Sequence, residues 1–257
     1  MPIAKSNPRI SVVMSLYNCD NYPIRGIEST LNQNFQEFEF IIIDDGSEKK
    51  TKKLLEKYSK SDDRIKIITN EKNIKLASSL NRGIKIARGE YIARADVNIN
   101  YDVMRLEQQY DFLEKHLDID ILGSNFYWAN VGKIEIRKIM LPEKHLEISR
   151  KLSRGNCICH PSVMFRKEKL VPFGPYKEGF GKPEDYYLWM QVRSKLKFYN
   201  LQEPLLTKWH RSNPWNDKLL DYFVNDIRIR LMGFKTSSNV LRDLFYFPRC
   251  IKYFFQF

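Results

Sequence analysis

Within its first hundred residues the chain alternates short apolar runs with amphipathic stretches, and this constrains the fold more than any other feature. Residues 9–16 (RISVVMSL), 38–43 (FEFIII), 65–68 (IKII) and 91–95 (YIARA) are brief, β-branched and bounded by turn formers, so they read as strands. Between them, residues 22–34, 48–60 and 76–87 carry apolar side chains at helical spacing: Ile24, Ile27 and Leu31; Leu54, Leu55 and Tyr58; Leu80, Ile84 and Ala87. Ser47 is placed to N-cap the second helix and Gly89 to end the third. Strand–helix alternation implies a mostly parallel sheet covered by helices. In such sheets ligands sit beyond the carboxyl ends of the strands. Here those ends carry Tyr17-Asn18, Asp44-Asp45 and Asp96-Val97-Asn98.

The rest of the chain keeps the mixed character. Residues 101–115 read as a helix, 119–126 as a strand and 133–141 as a hairpin or extended strand closed by Pro142. A short helix at 146–152 precedes a polar turn, Gly155 to His160, that leads into a strand ending near Arg166. Pro183-Glu184-Asp185 opens a helix with Pro at its start, acids in its first turn and Leu188, Trp189 and Val192 as its buried stripe. Residues 201–209 form the last strand.

At about 150 residues per domain, the 257 residues suit one large domain or two small ones. Composition is ordinary for a globular chain, with 43% hydrophobic and 29% charged residues, which excludes wholesale disorder, collagen, coiled coil and a disulfide scaffold. No apolar window reaches transmembrane length, and the N-terminus carries no apolar signal region. Cys19, Cys157, Cys159 and Cys250 make no paired framework, so a reducing cytoplasm is the expected setting. The net charge of +12 admits nucleic acid, an anionic membrane face or a phosphorylated substrate as partner. No groove-reading helix or RNP motif supports nucleic acid. GxGxxG and GxxxxGK[ST] are both absent, which removes the common dinucleotide and P-loop cradles.

Taken together, six segments in order resemble the inverting glycosyltransferases of family 2, which have the nucleotide-sugar-binding GT-A fold. They are Ser11–Asn18 (SVVMSLYN), Ile43–Ser47 (IDDGS), the stretch from Asn73 to Gly83, Gly89–Arg94 (GEYIAR), His160–Arg166 (HPSVMFR) and Glu184–Trp189 (EDYYLW). The resemblance spans residues 9 to 212. It implies a nucleotide-binding half at 1–100 and an acceptor-binding half at 101–215. A basic, aromatic helical tail at 216–257 follows, which can lie on a membrane interface, pack on the core or form a dimer contact. It further implies transfer of a sugar from a nucleotide diphosphate donor, UDP-linked by expectation, to a glycan or lipid-linked acceptor in surface polysaccharide synthesis at the inner face of the plasma membrane. The rival reading is a degenerate protein that binds the nucleotide-sugar without turnover.

Carried onto this sequence, the resemblance assigns the nucleotide to Ser15, Tyr17, Asp44, Asp45, Lys75 and Asp96. Asp45 or Asp44 would accept a base N–H, Tyr17 would stack on the base, and Lys75 would reach base or phosphate. Asp96-Val97-Asn98 stands where the family carries its Asp-x-Asp motif for a divalent cation, Mn²⁺ or Mg²⁺. Alternation along an extended segment would point residues 96 and 98 to one side. Asn98 replaces the second acid, which weakens the attraction for a hard cation. Asp185 is the candidate general base, with Glu184, His160, Trp209, His210 and Arg211 assigned to acceptor or diphosphate. Taken singly, each has a plainer reading: Asp44 as a helix cap, Lys75 as a solvated lysine, Glu184 and Asp185 as first-turn acids, His160 and His210 as structural.

Overall fold

The computed structural model describes residues 7–19, 24–130, 136–210 and 225–229. In chain order the elements of the first half are β1 (Ile10–Leu16), α1 (Arg25–Leu31), β2 (Phe38–Asp44), α2 (Lys49–Ser61), β3 (Ile65–Thr69), α3 (Lys75–Ile86) and β4 (Tyr91–Ala95). There follow β5 (Ile99–Tyr101), α4 (Arg105–Lys115), β6 (Ile121–Asn130), β7 (Ile136–Ile139) and α5 (His145–Leu152). Last come β8 (Met164–Arg166), α6 (Lys167–Leu170), α7 (Glu184–Val192) and β9 (Phe198–His210).

Among the described residues nine strands make one sheet, in the order β3-β2-β1-β4-β8-β6-β9-β5, with β7 paired to β6. β1 to β4 are parallel to one another. Every residue of β1 and β2 is buried, because helices cover both faces. On one face Val12, Met14, Phe40 and Ile42 cluster with Leu55 of α2 and with Leu106 and Leu113 of α4. On the other, Val13, Ile41 and Ile43 meet Leu80 and Ile84 of α3 and the stripe of α7. A strand wetted on neither face has no reason to alternate, which accounts for the unbroken run Phe40–Ile43.

In the second half β8 is antiparallel to both β4 and β6, so β6, and β9 beside it, run parallel to β1–β4, while β5 and β7 run opposite. β4 and β5 are separated by residues 96–98 alone, yet β4 lies in mid-sheet and β5 at its far end beyond β9. The turn at 96–98 therefore bridges the two parts of the sheet. It brings Lys208 of β9 opposite Ile99.

Some local expectations change. Ser47 does not cap α2; Glu48 holds that position without a side-chain bond, and Ser47 Oγ instead accepts the Asn18 N–H at 2.9 Å. Gly89 is not a helix cap, since α3 ends at Ile86 with Ala87 as its cap. It is small because a Cβ there would stand 2.5 Å from the Ser11 nitrogen. A three-residue strand precedes the helix expected at 101–115. The tail at 216–257 lies outside the described residues apart from 225–229, a helical turn with Ile229 buried. Its Asn225 Nδ2 donates to the Phe180 and Lys182 carbonyls at 3.2 and 3.0 Å, which ties that turn to the loop before α7. Among the described residues no helix is long and apolar enough to cross a membrane.

Candidate functional site

The carboxyl ends of β1 and β2 interlock. Asn18 adopts a positive φ of 48°, its side-chain oxygen accepts the Glu48 N–H at 2.9 Å, and the Asp45 N–H donates to the Leu16 carbonyl at 2.9 Å. Tyr17 is left 52% exposed on top of this junction, free to offer a ring face. The two adjacent acids divide their work. Asp44 is fully buried and its Oδ1 accepts the Ser47 N–H at 2.9 Å, so it shapes the turn rather than capping a helix. Asp45 accepts from Asn70 Nδ2 and Ile74 N–H, both at 2.8 Å, and from Lys75 N–H at 3.0 Å. A carboxylate has about four lone-pair sites, so Asp45 retains room for one further N–H. Its bond to Lys75 helps to hold that residue at a φ of 75°, with the side chain exposed beside the turn. Ser15, next to last in β1, lies alongside Ile43 and is almost buried.

The third carboxyl end differs from the sequence expectation. Residues 97 and 98 form a turn rather than extended chain, so strand alternation does not relate positions 96 and 98. Asp96 Oδ1 lies 2.7 Å from Arg94 Nη2, and the Asp96 N–H donates to Tyr101 Oη at 2.7 Å. Arg94 is 2% exposed, and a buried guanidinium needs a counter-charge. A second buried arginine, Arg105, donates to the Arg94 carbonyl at 2.8 Å and lies 4.4 Å from the centre of the Tyr101 ring. Asn98 is exposed and neutral, and Ile99 is buried. Among the described residues no three His, Cys, Asp or Glu side chains gather as a metal cluster. One carboxylate engaged by an arginine, plus one amide, does not by itself make a divalent-cation site. Asn98→Asp adds a charged oxygen to this turn and is expected to raise the free protein's Mn²⁺ affinity roughly tenfold or more in titration calorimetry. Unchanged affinity would show that residue 98 does not face the ion.

The acceptor half centres on α7. Tyr186, Leu188, Trp189 and Val192 bury one side of the helix, and Tyr186 Oη donates to the Leu152 carbonyl at 2.5 Å. This fixes the first turn, where Asp185 Oδ2 accepts from Asn156 Nδ2 at 2.7 Å. Burial pushes the Asp185 carboxyl above the usual carboxylate range, against the opposing pull of the Asn156 amide, the Tyr186 N–H and the Lys208 ammonium. Burial, then the neighbouring Asp185, pushes Glu184 up as well. The sequence pits the helix end against the neighbouring acid; burial decides the direction.

His160 lies inside the protein, 8% exposed, with Nε2 2.7 Å from Tyr176 Oη and its ring edge-on to Tyr176 and Trp189. Burial, with Arg94 and Lys208 nearby, holds it well below the ordinary histidine range. With a ring nitrogen engaged by Tyr176 and its ring edge-on to Trp189, it packs against α7. Burial raises the Cys159 thiol to about 11, with Asp96 and Asp185 adding and Lys208 and Arg105 opposing. Lys208 lies opposite Ile99 beside the Asp96 turn, and its charge also acts on Asp185. Trp209 is half-buried, with the Arg25 guanidinium 4.3 Å from its ring centre. His210 ends β9, its side chain outside the described residues, as is all of Arg211.

Three residues of this site escaped the sequence reading. Arg94 is hidden in an apolar strand, Asn156 in a turn, and Lys208 in a strand end where Trp209 drew the attention. Lys208 lies opposite Trp128 in the β6–β9 pairing, and its ammonium sits 5.5 Å from the centre of the Trp128 ring.

Comparison with known proteins gives a consistent result. Residues 11–171 match the model of the family described as Glycosyl transferase family 2. The O-antigen biosynthesis glycosyltransferase WbnJ of Escherichia coli is 30% identical over 248 residues, 94% of this chain and 96% of its own. WfgD of Escherichia coli, described as a UDP-Glc:alpha-D-GlcNAc-diphosphoundecaprenol beta-1,3-glucosyltransferase, is 30% identical over 184 residues, 71% of this chain and 69% of its own. The crystal structure of S. aureus TarS 1–349 with UDP-GlcNAc superposes with a TM-score of 0.72 at 20% identity, covering 91% of this chain and 69% of TarS.

Proposed function

The chain belongs to glycosyl transferase family 2, and from that premise we propose that it moves a sugar, with inversion, from a UDP-sugar to a hydroxyl of a glycan or lipid-linked acceptor in surface polysaccharide synthesis. The observation that carries the reading is the arrangement of Asp185. It is a half-buried carboxylate at the start of α7, held by the Asn156 amide at 2.7 Å, raised by burial and within the field of the Lys208 ammonium. In this reading Tyr17 stacks on the base, Asp45 accepts a base N–H on its remaining lone pair, and Ser15, Lys75 and Asp96 line the nucleotide.

Asp185 takes the proton of the acceptor hydroxyl as its oxygen attacks the anomeric carbon from the far face. The bond from that carbon to the diphosphate breaks, and the electron pair leaves with the nucleotide diphosphate. Lys208 offsets charge on the departing phosphate, while Glu184, Trp209, His210 and Arg211 are assigned to acceptor or diphosphate. The UDP and lipid-linked assignments draw on the descriptions of TarS and WfgD. A lipid-linked acceptor sets the reaction at the cytoplasmic face of the membrane.

The test is a thermal-shift screen with UDP-, GDP- and TDP-sugars, each with and without Mn²⁺. A donor at about one hundred times its Kd stabilises the native state by about 2.7 kcal/mol, a shift of several degrees for a chain of this size. UDP-sugars are expected to raise the Tm most. If no nucleotide-sugar raises it, the donor assignment fails.

A further inference from the structure

Asn156 lies just past α5 and before the buried run from Cys157 to Cys159. Its side chain has two partners. The oxygen Oδ1 accepts the Ile158 N–H at 3.2 Å, and the amide Nδ2 donates to Asp185 Oδ2 at 2.7 Å. The backbone on either side is fixed: the Gly155 N–H donates to the Lys151 carbonyl at 3.1 Å, and Cys157 is packed inside with Sγ 3.6 Å from the Ile148 carbonyl. One end of the amide serves its own turn and the other reaches a residue 29 positions away.

We infer that Asn156 is a positioning residue for transfer: its amide fixes the Asp185 carboxylate by Oδ2 and leaves Oδ1 to meet the acceptor hydroxyl. The inference rests on the reading of Asp185 as the general base. A base acts only if its oxygen lies within hydrogen-bond reach of the proton it removes, and a carboxylate free to turn about its last bond spends part of its time misaligned. The bond also acts on charge. A donor to the ionised form favours that form, so Asn156 counters the burial that pushes Asp185 up. The other groups that interact with Asp185 are Glu184 on its own helix, Lys208 from β9, Cys159 from the segment after Asn156, and Tyr176 from the loop before α7. Among the described residues Asn156 is the side chain seen to donate a hydrogen bond to the Asp185 carboxylate.

The two bonds of Asn156 can be separated by substitution. Asn156→Asp keeps an oxygen for the Ile158 N–H and replaces the donor to Asp185 with a second carboxylate. Asn156→Ala removes both. Asp185 must be ionised to act, so its activity is present above its pKa and lost below. Raising that pKa moves the acid limb of kcat/KM to higher pH. For Asn156→Asp the limb is expected to move up by about one unit or more, with kcat at neutral pH falling on the order of tenfold to a hundredfold. Asn156→Ala shifts the limb less, in the same direction. Donor binding, read by thermal shift with a UDP-sugar, stays at the wild-type level in both.

If Asn156 only shapes its turn, Asn156→Asp keeps the wild-type pH profile, and the inference is overturned. Asp185→Asn in the same assay separates the two levels. If it transfers normally, the base assignment itself is wrong. If it is inactive while both Asn156 variants keep wild-type profiles, only the positioning role is wrong.

Discussion

Asp185→Asn is expected to lower transfer by about 10²- to 10⁴-fold while leaving the fold and donor binding intact. The substitution keeps the size and shape of the side chain at the start of α7, where Tyr186, Leu188 and Trp189 anchor the helix independently of it. Its carbonyl oxygen can still accept the Asn156 amide. What it lacks is a proton acceptor of useful basicity, so the acceptor hydroxyl must attack with its proton still in place. The Asp185 carboxyl is raised by burial, which brings a base nearer to the operating pH and makes it more effective. The wild-type kcat/KM should therefore fall on the acid side, and that limb should vanish in the variant. Initial transfer rates at saturating donor across pH, with donor binding measured separately, provide the check. Wild-type rates in the variant would end the assignment. Donor binding by the wild type without any transfer would favour the rival reading, a nucleotide-sugar-binding protein without turnover.

What the sequence made legible follows from how local each signal is. The runs at 10–16 and 38–44 are buried on both faces, so their apolar content alone marks them as interior parallel strands. The turns at Tyr17-Asn18 and Asp44-Asp45 are short-range chemistry, and the start of α7 carries its own proline and acids. The misses depend on how the chain bends and folds back on itself. A three-residue strand such as β5 has too few positions for a period and forms because β9 lies beside it. Arg94 reads as one odd residue in an apolar strand; only the bend of the chain at 96–98 reveals that Asp96 is its counter-ion. That pairing changes the meaning of the motif, because an acid expected to face a cation already faces a buried guanidinium. The plainer reading of His160 as structural describes its surroundings, since Tyr176 and Trp189 pack edge-on against its ring.

Gly26→Ala is expected to destabilise the protein and weaken donor binding together, although alanine is the better helix former by about 1 kcal/mol. Gly26 lies in the first turn of α1 and donates its N–H to the Val97 carbonyl at 2.9 Å. The helix therefore touches the turn at residues 96–98 backbone to backbone. A Cβ at position 26 would stand 1.9 Å from the Asp96 carbonyl oxygen, 2.9 Å from its carbon and 3.0 Å from the Val97 carbonyl carbon. None of these atoms is the end of a flexible side chain, so either α1 or the turn must move. Moving the turn pulls Asp96 from Arg94 and leaves a guanidinium buried without its acid, a costly state. Moving α1 disturbs Ile27, which is fully buried in the core, and Arg25, which lies over Trp209. Overpacking of this kind costs about 1–3 kcal/mol, for a chain of this length a Tm loss of several degrees. Donor affinity falls as well, because the displaced turn carries Asp96. Melting curves with and without a UDP-sugar measure both effects in one experiment. A wild-type Tm and a wild-type ligand shift would show that α1 yields without moving the turn, and that Asp96 is not held in place from this side.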